Sequence, residues 1–76
     1  MKNLIELLVK ALVDEQDNVE VEELAHNDSI TYKVRVAPGD LGKVIGKDGK
    51  IANALRTVAK AAALKSGTKV YVDIVS

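Results

Sequence analysis

The run Leu41-Gly42-Lys43-Val44-Ile45-Gly46-Lys47-Asp48-Gly49-Lys50 holds three glycines, and a lysine directly follows each one. Glycine has no Cβ and adopts positive φ readily, so another backbone can approach it closely. Lysine adds a mobile point charge with three donors. Together they suit the holding of an anion, phosphate above all, more than the breaking of a bond.

Two nucleotide-binding motifs fail on spacing. A Walker loop needs four residues between its first glycine and Gly-Lys, then Ser or Thr; here Gly42 and Gly46 enclose three, and Asp48 follows Lys47. No G-x-G-x-x-G is present. A helix-turn-helix also carries a glycine in its turn, but its second helix needs polar side chains for base edges. Only Lys50, Asn53 and Arg56 qualify here, among Ile51, Ala52, Ala54 and Leu55. The plainest alternative is structural: Gly46 ends one helix, Gly49 turns the chain, and the lysines keep the surface soluble.

Other candidates are poorer. The one histidine, His26, lies among turn residues with no cysteine and no evident nucleophile beside it. The acidic segment Asp14–Glu23 lacks the glycine and terminal ligand of a calcium loop. Neither a metal, a cofactor nor a small-molecule substrate is expected, and no catalytic residue is assigned.

The chain has 76 residues and no cysteine, so one domain over residues 1–76 without disulfides is expected, suited to a reducing cytoplasm. Glu6 and Lys10 interrupt the apolar N-terminal run, which reads as an amphipathic helix and not a targeting or membrane segment. Net charge is zero, yet residues 1–40 hold four basic against nine acidic side chains and residues 41–76 hold seven against two. Screening acts over about 8–10 Å, so the basic half can attract a polyanion although the whole is neutral.

The elements around the glycines follow from periodicity. Asn3 can cap a helix running to about Asp14, with Leu4, Ile5, Leu8, Val9, Leu12 and Val13 at helical spacing. Val19 and Val21 alternate with Glu20 and Glu22 as a strand, and Leu24 breaks that register, which predicts a bulge or strand end near Glu23. Ile30, Tyr32, Val34 and Val36 alternate with Thr31, Lys33 and Arg35, so a hairpin would set Glu20 and Glu22 against the basic pair. Asp40 can cap a short helix over 41–45. A long helix follows, with Ile51, Leu55, Val58 and Ala62 expected as its core seam and Gly67 as its end, and Val70, Val72 and Ile74 mark a last strand. The order helix-strand-strand-helix-helix-strand predicts an α+β fold: a three-stranded mixed sheet with three helices on one face.

In that setting the sequence "VIGKDGK" between two helices resembles the GXXG loop of a KH domain of the type II topology. Over essentially the whole chain, and most clearly in "GKVIGKDGKIANALRTVAKAAA", it is similar to the small bacterial KH proteins of the KhpA family. The resemblance implies a non-catalytic module whose loop clamps about four nucleotides of single-stranded RNA. Carried over by position, the loop is Gly46, Lys47, Asp48 and Gly49, flanked by Lys43 and Lys50. Val44, Ile45, Ile51 and Leu55, with residues near Val34 and Val36, would line an apolar groove for bases, and Arg56 joins the RNA-binding set. Few aromatics, only Tyr32 and Tyr71, fit this class better than aromatic-platform binders.

The family is further associated with homodimers and with heterodimers involving a larger KH-containing protein, and with bacterial growth and division. Ala52, Ala59 and Ala63, outside the expected seam, are the candidate dimer face. A dimerisation module with little RNA binding is the alternative function.

Overall fold

A computed structural model describes all residues from Met1 to Ser76. Helix α1 spans Lys2–Lys10, strand β1 Glu20–His26 and strand β2 Ser29–Arg35. Helix α2 spans Leu41–Ile45, helix α3 Lys50–Ala63 and strand β3 Lys69–Val75. This is the predicted order, with a 3-10 turn at Lys47–Gly49 between α2 and α3.

The sheet runs β1-β2-β3, with β1 antiparallel and β3 parallel to the central β2. Alternation decides its faces: Val21, Tyr32, Val34, Val70 and Val72 are buried on one side. They share one core with Ile5 and Val9 of α1, Val44 of α2, and Leu55, Ala59 and Ala63 of α3. All three helices therefore cover the same sheet face. On the open face Glu20 pairs with Arg35 and Glu22 with Lys33 in register, so opposite charges are cross-strand neighbours as expected.

Several local expectations are corrected. The α1 N-cap is Met1 and no side chain caps it, because the helix already starts at Lys2 and Asn3 lies inside it. Strand β1 pairs without a bulge through His26 opposite Ser29. Leu24 merely sits on the open face, 41% exposed. Beyond Val21 no residue of β1 is buried, so nothing there requires the apolar alternation to continue.

The stripe that α3 buries is Ala52, Leu55, Ala59 and Ala63, with Ile51 partly buried beside it. Val58 is 43% exposed and Ala62 is exposed, so the seam lies one residue on from the expected one. The helix packs on β3, and the three alanines assigned to a dimer face are all buried, Ala59 and Ala63 within the core. They are unavailable to a partner.

Candidate nucleic-acid interface

The site is built at the α2–α3 junction. Helix α2 closes with the Gly46 N–H donating to the Gly42 carbonyl at 2.8 Å. Gly46 then takes φ 76° and ψ 172°, a region open in practice to glycine alone. Asp48 (φ 57°) and Gly49 (φ 75°) are left-handed, and aspartate is among the few side chains that accept this. The Gly49 N–H donates to the Gly46 carbonyl at 3.2 Å, which folds the four residues into one tight turn. Lys47 and Asp48 are exposed at its tip.

Helix α3 begins at once after this turn. Its N-cap is Gly49, no side chain caps it, and its first turn contains no acid. The positive end of a fourteen-residue helix thus opens beside the loop with no competing carboxylate of its own. Lys47 and Lys50 are both exposed and neither forms an ion pair.

The other predicted site residues divide. Ile45 and Ile51 are half-buried on either side of the loop and offer apolar surface. Val44 and Val34 are fully buried, and Val36 and Leu55 are buried too, so these four belong to the core and offer little surface to a base. None of the molecule's surface concavities is lined by a residue between 41 and 56. The loop stands on an open ledge, with Ile45 and Ile51 as its partly exposed apolar neighbours.

Arg56 is half-buried and committed to the fold. Its Nε donates to the Val72 carbonyl at 3.2 Å, and its Nη1 donates to Asn53 Oδ1 at 3.1 Å. It thereby covers a carbonyl of the edge strand β3. Asn53, absent from the predicted site, lies one turn from Gly49, with its side-chain nitrogen 4.0 Å from where a Gly49 Cβ would stand. Its i+4 spacing from Gly49 was the available signal.

Lys43 is likewise engaged elsewhere. Its Nζ bonds the Asp14 carboxylate and lies 3.5 Å from Asp40 Oδ1. Asp40 stands at the N-cap position of α2 as expected, but its side chain makes no capping hydrogen bond there. Its buried side chain accepts the Glu15 N–H at 3.0 Å and the Asp14 N–H at 3.3 Å. The Glu15 N–H, aided by the Asp14 N–H and Lys43, holds this carboxyl below its ordinary range despite burial. Asp14, then Asp40, push the Lys43 ammonium above its ordinary value.

A glycine-clamped turn between two helices, laid on a mixed three-stranded sheet, defines a KH domain. Residues 2–74 match the family described as KhpA/KhpB, KH domain, and the chain belongs to that family. It is 51% identical over 75 residues to the RNA-binding protein KhpA of Clostridium perfringens, covering 99% of this chain and 100% of the relative. The RNA-binding protein KhpA of Aquifex aeolicus is 45% identical over 74 residues, 97% of this chain and 94% of that one. Among solved structures, the crystal structure of a variant of Aquifex aeolicus Era bound to GDP·AlF4− superposes with a TM-score of 0.68 at 18% identity. The match covers 99% of this chain but 30% of Era, and it speaks to the fold alone.

Proposed function

We propose that this chain is a non-catalytic module, one KH unit over residues 1–76, that binds single-stranded RNA by clamping its sugar-phosphate backbone on the loop Gly46–Gly49. The carrying observation is the bare backbone of Gly46, held in a glycine-only conformation on an exposed ledge beside the uncapped start of α3. Phosphate oxygens would meet the helix's positive end and the unpaired ammonium groups of Lys47 and Lys50, while Ile45 and Ile51 offer apolar contact to a base. The chain's relatives in Clostridium perfringens and Aquifex aeolicus, both RNA-binding protein KhpA, support the ligand class. A cytoplasmic adaptor in post-transcriptional regulation is the corresponding cellular role.

The test is anisotropy binding of a randomised single-stranded RNA pool to the native chain and to Lys47→Asp, with circular dichroism confirming that both fold. Salt-sensitive native binding that the folded variant loses supports the clamp. Equal binding by both, or by neither, removes it.

A second reading, association with another KH-containing chain, is favoured by Leu64, which stands 79% exposed at the end of α3 with Val58 exposed one turn and a half before it. The family description joins two kinds of chain, which supports the same reading. With the alanine stripe buried, such a contact would use these larger side chains. Sedimentation of the native chain against Leu64→Lys tests it: equal masses at high concentration would exclude self-association through this end.

A further inference from the structure

Lys43 belongs by position to the basic run of the loop, yet it is held on the opposite half of the chain. Its ammonium bonds Asp14, 29 residues away, and lies 3.5 Å from Asp40. Asp40 in turn fixes the backbone of residues 14 and 15 through both its carboxylate oxygens. The two acids are therefore not drifting surface charges: the buried Asp40 pins the segment that carries Asp14 against the start of α2. Yet the ammonium end is accessible, with the Lys43 side chain 46% and the Asp14 side chain 79% exposed.

Lys43 also sits three residues before Gly46, about 4.5 Å along the helix axis, so its charge is within a side chain's length of the loop. Successive phosphates on a single strand lie at comparable spacing. We infer that Asp14, held in place by Asp40, restrains Lys43 as a third phosphate-binding cation, so that this acidic clasp sets the salt dependence and affinity of the RNA clamp. The inference rests on the loop reading above. RNA binding in the native chain then involves Lys47 and Lys50, and removal of the Asp14 charge leaves Lys43 with only the longer 3.5 Å pairing to Asp40, so that its exposed ammonium can turn to join them.

The exposure of the Asp14 side chain makes Asp14→Asn benign to the fold, and its backbone N–H to Asp40 is kept. One added phosphate contact on a single strand steepens the log–log salt slope by about 0.7. Between about 50 and 200 mM salt that widens the affinity ratio roughly threefold. The decisive comparison is a double-mutant cycle on the randomised RNA pool, with native, Asp14→Asn, Lys43→Gln and the double variant measured across that salt range. Steeper slope and tighter low-salt binding in Asp14→Asn, both abolished in the double variant, are the expected result. A gain that survives in the double variant would show only the loss of a nearby negative charge and would overturn the inference, as would no gain at all. Lys47→Asp, run alongside, separates the two failures: if it still abolishes binding while Asp14→Asn gains nothing, the clasp is wrong and the clamp stands.

Discussion

Ile51 occupies the space that a side chain on Gly46 would need: a Cβ there would stand 2.6 Å from Ile51 Cγ1. The same residue that walls the loop with apolar surface thus forbids any side chain on its first glycine. At Gly49 the nearest atom is Asn53 Nδ2 at 4.0 Å, so only the positive φ excludes other residues. The two glycines of the clamp are needed for different physical reasons.

Urea unfolding should separate them. Gly49→Ala incurs the left-handed penalty alone, about 1–2 kcal/mol. Gly46→Ala adds overpacking to a less tolerant backbone region, for a total of about 2–4 kcal/mol. Trimming the obstacle with Ile51→Ala should make the Gly46→Ala step cheaper, and equal costs at both glycines would contradict the geometry.

Asp48 is the one carboxylate within the clamp, at φ 57°. Asn tolerates the same backbone region without the charge. Asp48→Asn should therefore leave thermal stability within about 0.5 kcal/mol of native. It should tighten RNA binding about two- to fivefold at low salt, an advantage that shrinks as salt screens it. Titrations of the RNA pool at two ionic strengths check both expectations, and unchanged affinity at low salt would place the phosphate path away from Asp48.

How much of this was visible in the amino acids alone depended on range. Strand alternation at Val19 and Val21, at Tyr32 and Val34, and at Val70 and Val72 is a local period, and the core uses it as read. The loop glycines were visible for the same reason. Helix α3 departs from its hydrophobic pattern: bulky Val58 has the composition of a core residue, whereas the helix turns its alanine side to the sheet and leaves Val58 outside. Asp40 with residues 14 and 15, and Lys43 with Asp14, join points 25 to 29 residues apart. No periodicity encodes a partner at that distance, so a cation that looked free proved to be paired.

The corrected seam changes what a substitution at Ala59 means. That residue is 1% exposed, and glutamate there would bury an unpaired carboxylate in place of a methyl group. The cost is at least about 3 kcal/mol. A core of this size supplies roughly 3–5 kcal/mol in all, so Ala59→Glu should lose most of its stability and unfold at much lower denaturant than native. Circular dichroism across a denaturant series at micromolar concentration decides the matter, since a monomeric variant that unfolds with native would return Ala59 to the surface.

Acid should act through Asp40. Its folded carboxyl lies below the ordinary aspartate value, about 3.9, because the Glu15 and Asp14 N–H groups and Lys43 favour the charged form. A depressed folded pKa contributes stability above the unfolded value, and that contribution disappears as pH falls through the folded one. The raised pKa of Lys43 has the opposite sense: its contribution is complete below the ordinary lysine value and disappears only as pH rises through the folded one, far into alkali. The clasp should thus hold across neutral pH and fail on the acid side. In Asp40→Asn one carbonyl oxygen remains to accept one backbone N–H, but the group no longer titrates. The variant should be less stable than native near pH 7 and should lose less on acidification, so the two stability curves converge. Denaturant unfolding from about pH 7 to pH 2 measures this, and parallel curves would mean that the Asp40 contacts add nothing to the folded state beyond those of a neutral amide.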